Sequence, residues 1–509
     1  MNKKNLVFSS NYNLIRFVSY LIIACCIFLF VVFGLLKWPG LYLDSGLYTT
    51  PILNLAVGNG WLFDAYTLLL VTRDSNEYSF HGVLYPIIFG LLLKSTTYEK
   101  LFFWIAITNA LTFIVYIFLF YRTIETKNSA WSVLIATIFA ITSGAICLYL
   151  QGRPEHLAPL LTSLPMLARE YSITRKYSRY FSYITLGLLF ILSPVVGIIY
   201  GMGTLFWVAL NYKQRLLQEL LLAGLISTGT IISIIQVFCS FSTLEWIHNV
   251  FFVGNGSIIP IDWWRLKTIG FSLSTPAWNF FIIAIVFLVL RTLWQRKLFI
   301  VFTIWLILSY YLLAKVQVYG YVGLFPLLLL MTVGKNQGWI INISKTQKQW
   351  ISKSSITFSV LYSAVFIRLI LLFILYWQHG VSFEKTASNL REMISKSNKN
   401  GDSIAFYWMN IPSFIVFGKA GDSFVTAEAS IISQSDSLLN NYERKFSKKI
   451  IYIVLPQKGE LSTPPQTLNQ GMFILVSDGW SKKRASFMGV KLGGAMPGYQ
   501  FALYKRTVN

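Results

Sequence analysis

The chain has 509 residues, of which 55% are hydrophobic and 12% charged, where a soluble domain carries roughly 25% charged residues. That deficit, with apolar runs near the ~20 residues that cross a bilayer core of roughly 30 Å, excludes one large water-soluble domain and predicts an integral membrane protein. The net charge of +23 excludes nucleic acid as a partner, because the bases fall between apolar runs and not in one patch, as the positive-inside rule expects of cytoplasmic loops.

The basic opening MNKKNLVFSSNYNLIR precedes an apolar run too long for a signal peptide and followed by no small-residue cleavage site. It predicts an uncleaved first span over 17–36 with the N-terminus cytoplasmic. Residues 38–99 then form a long outer excursion carrying Asp44, Asp64, Asp74, Glu77 and Glu99. Within it, TPILNLAVGNGWLF reads as an amphipathic helix at the interface, and HGVLYPIIFGLLLK as a short re-entrant or interfacial helix. The second span, 101–121, ends at Arg122 and Lys127. The third, 131–150, returns outside at GRPEH, and the fourth, 155–171, ends among Arg169, Arg175, Lys176 and Arg179.

Residues 180–212 are basic at both ends with Pro194 near the middle, which predicts a hairpin of two short helices. A seventh span, 217–240, leads to an outer loop over 241–276 with Glu245, His248, Asp262, Arg265, Lys267 and several tryptophans. Span eight ends at Arg291, Arg296 and Lys297; spans nine and ten flank the outer turn KVQVYGY; the basic stretch 335–353 is inside, and span eleven covers 355–377. The total of about eleven spans puts the C-terminus outside. The four cysteines, Cys25, Cys26, Cys147 and Cys239, lie in or beside apolar runs. They read as packing residues, with neither a disulfide framework nor a zinc spacing.

From 378 the composition changes. FEKTASNLREMISKSN is a polar, helix-compatible opening, and SIAFYW, KIIYIVLP, MFILVSD and YQFALYK are β-like runs separated by turn-formers. They predict a small α/β domain over 378–509, a normal domain size, without a Gly-rich phosphate loop or a nucleophile elbow. The expected fold is therefore an all-α polytopic membrane domain, 1–377 including the outer loop 38–99, followed by a small extracytoplasmic α/β domain.

Chemistry is expected where ionisable residues approach the bilayer on the outer side. Asp44, in WPGLYLDSGLY, follows span one by a few residues. A carboxylate there can take a proton, bind a divalent metal or orient a nucleophile, and Asp-Ser-Gly equally suits the start of a helix. Glu155, in QGRPEHLAPL, stands where spans three and four meet, flanked by Arg153 and His156. Ionisable residues at that depth are functional or paired, and an Arg153–Glu155 pair at a helix entrance, with Pro154 in its first turn, is the alternative role. His81 opens HGVLYP and is either a contact to substrate or metal or a plain polar anchor. Arg265, Lys267 and Lys315 are outer-loop cations, and Arg368 lies in the outer half of span eleven, where it can snorkel or meet a lipid phosphate. Paired-histidine, Ser-His-Asp and Walker signatures are absent from the sequence.

The succession of these pieces carries a resemblance. One span leads to an acidic residue at the start of a long outer loop, the loop ends in HGVLYP, an acidic GRPE turn enters span four, a basic-flanked hairpin follows, and a tyrosine-rich turn enters a later span in VYGYVGLFPLLLL. This order resembles the polytopic C-type glycosyltransferase superfamily, closest to the branch of protein O-mannosyltransferases and bacterial lipid A aminoarabinose transferases, over about residues 14–335. The resemblance implies a hexosyl- or pentosyltransferase, and the short loops and lack of retention signals point to the plasma (inner) membrane of a bacterium. Its donor is a polyprenyl-phosphate-linked sugar and its acceptor a glycan, lipid or protein of the cell envelope, with inversion by single displacement. Asp44 matches the first-loop acid, a catalytic base or metal ligand in the family, and Glu155 the second acid. His81 matches the opening of a Pro-rich segment whose prolines are Gly82 and Val83 here. Ser45 stands where many members carry a second acid, which bears on a metal at Asp44. By chemistry and side alone, Arg153, Arg265, Lys267, Lys315 and Arg368 are candidates for substrate contact. The competing function classes are a lipid-linked glycan flippase or exporter, disfavoured because the ionisable residues gather on one face, and a membrane-anchored glycan assembly protein.

Overall fold

The computed structural model describes residues 3–38, 46–61, 65–66, 79, 81–97, 100–123, 154–170, 177–253, 367–368, 370–395, 403–407, 424–427, 439–440, 443–444, 449–457 and 461–507. The expected third span, spans eight to ten, most of span eleven and the loop residues 254–276 lie outside them. What is described is mostly helical, with a small C-terminal sheet. Among the described residues two stretches are long and apolar enough to cross a membrane, Arg16–Leu36 and Leu216–Phe238.

The first stretch belongs to helix α1, Lys3–Leu36. Helix α2 is Gly46–Val57, α3 Leu84–Lys94 and α4 Leu101–Thr123. Phe33 meets Phe102 with ring centroids 5.9 Å apart, and Phe30 meets Phe113 at 5.8 Å, so α1 and α4 run antiparallel. The expectation of an amphipathic interfacial helix at α2 is corrected. Pro51, Ile52, Leu53 and Asn54 are buried in succession, and four consecutive residues of a 3.6-residue helix cover nearly its whole circumference. Its neighbour is α3. Tyr48 sets its ring edge-on to Tyr85 at 5.9 Å, while Gly90 faces Ile52 and Leu55, a constant offset that makes the two helices parallel.

A 3₁₀ turn, Pro154–Leu157, runs into helix α5, Ala158–Glu170. The expected hairpin follows as α6, Ser178–Leu192, and α7, Pro194–Asn211. Ser193 is extended (φ −154°, ψ 111°) and Pro194 takes the first helical position, where its missing N–H has no intrahelical partner to lose. Gly197 lets the arms close, since a Cβ there would lie 2.5 Å from the Phe190 Cα. Small residues at such contacts are the usual means of close helix approach in membranes. Helix α8, Leu216–Phe238, packs parallel to α6, with Gly187 against Ser227 and Thr230. Helix α9, Thr243–His248, follows, capped by the Ser242 hydroxyl, which accepts from the Glu245 N–H at 3.1 Å. One π-helical turn, Asn249–Val253, succeeds it.

Helix α10, Ile370–His379 with Ile367 and Arg368 helical before it, leads to α11, Phe383–Ser395. The expected runs form strands β2 (Ser403–Tyr407), β4 (Ile450–Pro456), β6 (Phe473–Asp478) and β9 (Phe501–Arg506). Strands β3 (Phe424–Ala427) and β5 (Thr467–Leu468) join them. The seventh strand, β1 (Ala65–Tyr66), comes from the first loop and pairs parallel with β3. The sheet order is β1-β3-β2-β4-β9-β6-β5, parallel from β1 to β4 and antiparallel beyond. A second sheet is the hairpin β7 (Arg484–Phe487) and β8 (Val490–Ala495). It reverses at Met488 and Gly489, both at positive φ (48° and 82°), the backbone of a two-residue type I′ turn.

The end of α1, the start of α4, the end of α10 and the C-terminal domain meet at one place. Trp38 stacks on Tyr376 at 5.0 Å, Phe102 contacts Phe383 at 5.7 Å, Lys37 pairs with Glu384 at 3.1 Å, and the Tyr499 hydroxyl donates to the Lys37 carbonyl. Inside the domain, buried Tyr504 donates its hydroxyl to the Pro465 carbonyl at 2.8 Å. Burial first, and then the Asp478 carboxylate, push this phenol from 10.0 up to about 12. A raised folded-state pKa means a contribution to stability that is complete below pH 10 and lost as pH rises toward 12. Near-ultraviolet circular dichroism followed through that window should show loosening of the domain, and Tyr504→Phe should remove part of the alkaline loss.

Candidate functional site

The turn before α3 is held from several sides. Trp246 on α9 is fully buried and donates its indole N–H to the His81 carbonyl at 2.9 Å. Asn249, one residue beyond α9, donates its amide to the Ser79 hydroxyl at 2.7 Å. Gly82 abuts the hairpin bend, and any Cβ there would run into the Leu192 carbonyl. Position 82 thus has a local reason to be glycine. Val83 beside it is fully buried.

These clamps set the His81 imidazole, half-buried, with its centroid 5.9 Å from that of Tyr48 in the first turn of α2. Tyr48 and Tyr85 are buried, and Tyr85 rests on Phe89 at 4.5 Å. Past the far end of α2, Trp61 donates its indole N–H to the Phe238 carbonyl at 2.6 Å and sets its ring edge-on to Phe241 at 5.5 Å. The two ends of the first loop therefore come together on a frame made by the ends of α6 and α8 and by α9. That arrangement places an imidazole beside the entrance of α2. An imidazole there can accept or donate a hydrogen bond near neutral pH.

Gly82→Ala is expected to cost about 1–3 kcal/mol, because the obstacle is backbone and the turn cannot yield without losing its clamps. Thermal unfolding in detergent checks this against Gly224→Ala, on α8, where a Cβ meets nothing within 4 Å and helix propensity favours alanine.

Glu155 is the second residue of the 3₁₀ turn. Pro154, Leu157 and Ala158 around it are buried, and the turn packs against α4. Buried Thr162 bonds back to the Ala158 carbonyl at 2.9 Å, and Thr185 of α6 donates to the Leu161 carbonyl at 3.4 Å, tying the start of α5 to the hairpin. Arg368 is placed elsewhere. Its Nε donates to the Leu492 carbonyl of β8 at 2.7 Å, a partner in the C-terminal domain that sequence reasoning did not consider. Asp44, Arg153, Arg265, Lys267 and Lys315 lie outside the described residues. Among the described residues no group of three or more His, Cys, Asp or Glu side chains is placed to hold a metal ion.

A polar cluster that sequence reasoning missed links α6 to α8. Glu219, buried, accepts from the Arg179 guanidinium at 2.7 Å on one oxygen and from the buried Tyr183 hydroxyl at 2.9 Å on the other. Arg179 also donates to the Tyr180 hydroxyl at 2.7 Å. The signal was an acid inside the apolar run LLQELLLAGL, since an ionisable residue at membrane depth demands a partner. Compared with models of known protein families and with curated proteins, the chain matches none.

Proposed function

We propose that this chain is a polytopic glycosyltransferase of the plasma membrane, moving a hexosyl or pentosyl unit from a polyprenyl-phosphate carrier to an acceptor on the outer face. The supporting observation is the junction of the two ends of the first loop. LDSGLY, bearing Asp44, supplies Tyr48, and HGVLYP supplies His81 and Tyr85, and these three rings pack together. An orientation with a cytoplasmic N-terminus and about eleven spans puts this junction, the Glu155 turn and the C-terminal sheet on the outer side. Strand β1, drawn from the same loop as Asp44 into that sheet, fits this sidedness.

In the proposed reaction an acceptor hydroxyl or amine attacks the anomeric carbon. The bond from that carbon to the carrier phosphate breaks, the electron pair leaves with the phosphate, and the acceptor proton passes to Asp44, with Glu155 as the second carboxylate. The leaving group is already ionised and needs cations more than a proton, a role assigned to Arg153, Arg265, Lys267 and Lys315. Arg368 is assigned to holding the C-terminal hairpin. Cells expressing the chain should carry envelope glycans, lipids or proteins heavier by one sugar residue in mass spectra than cells lacking it. Identical spectra would count against a transferase.

A further inference from the structure

Helix α1 closes at Lys37, directly after Leu36. The φ of Lys37 is 53°, the left-handed conformation that ends many helices and usually falls to glycine. A lysine keeps it where the surroundings enforce it, and here they come from the other end of the chain. The last carbonyls of a helix have no intrahelical partner. Two of those at the end of α1 are met by phenols. The Tyr376 hydroxyl, on α10, donates to the Leu36 carbonyl at 3.3 Å, and the Tyr499 hydroxyl donates to the Lys37 carbonyl. The Lys37 ammonium stands 5.0 Å over the Phe383 ring and pairs with Glu384, both on α11. Trp38 follows, stacked on Tyr376 and edge-on to Phe373 at 6.0 Å. Tyr499 is itself fixed. It is buried and edge-on to Phe383 at 5.3 Å, and its N–H donates to the Val381 carbonyl at 2.9 Å. Its carbonyl accepts from the buried Thr386 hydroxyl.

In sequence, Asp44 comes between this junction and α2, which begins two residues later at Gly46. At roughly 3.3–3.6 Å per residue, chain connectivity keeps Asp44 within about 7 Å of Gly46, and α2 meets the His81 turn through Tyr48. One tether sets a residue's distance and leaves its direction open. A second fixed point, Trp38, restricts the direction. The C-terminal domain also takes the middle of the same loop, where Ala65 and Tyr66 pair with Thr426 and Ala427 of β3.

We propose that the C-terminal domain, with the end of α10, is the second anchor of the Asp44 segment, and that Tyr376 and Tyr499 are positioning residues gripping the α1 carbonyls. The consequence for catalysis rests on the transferase reading above; the anchoring does not. Tyr376→Phe with Tyr499→Phe should slow single-turnover transfer by about 10–10²-fold, as misplacement of a reacting group does, with binding of the polyprenyl-phosphate sugar unchanged. Lys37→Glu should also slow it, and adding Glu384→Lys should restore most of the rate. A purely structural role would instead lower the unfolding temperature and leave the rate per folded molecule intact, which would overturn the proposal. The anchoring is read separately by pulsed dipolar spectroscopy on the full chain in detergent, its four cysteines replaced by alanine. Spin labels go at Leu41→Cys, in the segment, and at Leu217→Cys, 71% exposed on α8. One narrow distance population is expected, broadened by the two Tyr→Phe changes. A population that stays narrow overturns the proposal whether or not the chain transfers sugar. Broadening, with transfer absent even from the unmodified chain, keeps the anchor and removes the transferase reading beneath it.

Discussion

Asp44→Asn should reduce sugar transfer by about 10²–10⁴-fold, the range supplied by a positioned acid–base group. The substitution separates the two roles open to this residue. Asparagine matches aspartate in size, and Ser45, the residue directly before α2 at Gly46, is itself of a type that caps helices, so the start of α2 keeps its local support. What is lost is the negative charge and the ability to take a proton from the acceptor. Insertion, expression and unfolding temperature should therefore match the unmodified chain, as should binding of the polyprenyl-phosphate sugar. Single-turnover transfer from a radiolabelled donor checks this. A mutant that transfers at the normal rate removes Asp44 from the mechanism, and one that fails to insert assigns Asp44 to the fold.

The second large effect is on stability. Glu219→Ala should cost about 3–5 kcal/mol, because it strands the Arg179 guanidinium and the Tyr183 hydroxyl in a site built around their shared carboxylate. The Glu219 side chain is 8% exposed and that of Arg179 32%, so water recovers part of the arginine's loss and the lower end of the range is expected. Replacing all three together, by Leu at 219, Met at 179 and Phe at 183, should recover most of the stability, since removing a whole buried polar cluster is far cheaper than removing one member. Chemical unfolding in detergent measures both variants. Transfer per folded molecule should hold in each. Arg179 begins α6 and Leu192, against Gly82, ends it, which separates the cluster from the His81 turn by roughly 20 Å of helix.

Legibility in the sequence followed how local each feature's cause is. The break between α6 and α7 was readable because Pro194 cannot continue a helix that begins before it, and the four expected β runs became β2, β4, β6 and β9 because each is a continuous apolar segment bounded by turn-formers. The β7–β8 hairpin was not. RASF alternates over only four residues, VKLGGA runs out into small residues, and Met488 at positive φ gives none of the Asn-Gly or Asp-Gly signal of a tight turn. Strand β1 is two residues long and is a strand only because a distant segment pairs with it. Helix α2 reads as amphipathic in sequence, yet its one polar side chain past Pro51, Asn54, is buried, with its backbone carbonyl accepting from the Asn59 N–H at 2.8 Å. At the candidate site, charge and position picked out His81 and Arg368, but not their surroundings. The clamp from Trp246 and the carbonyl that receives Arg368 are backbone contacts across 165 and 124 residues, and no pattern in sequence encodes them.

The central claim is bond transfer from a lipid carrier, and the measurement closest to it is the fate of the donor. The purified full-length chain, reconstituted in vesicles with a panel of polyprenyl-phosphate hexoses and pentoses and a crude acceptor fraction, is analysed by mass spectrometry and phosphorus NMR. The expected result is that one donor is converted to free polyprenyl phosphate with an equal amount of acceptor-linked sugar of inverted anomeric configuration, and that Asp44→Asn leaves that donor intact. Recovery of every donor with its sugar–phosphate bond unbroken, including any that has crossed the bilayer, would contradict it.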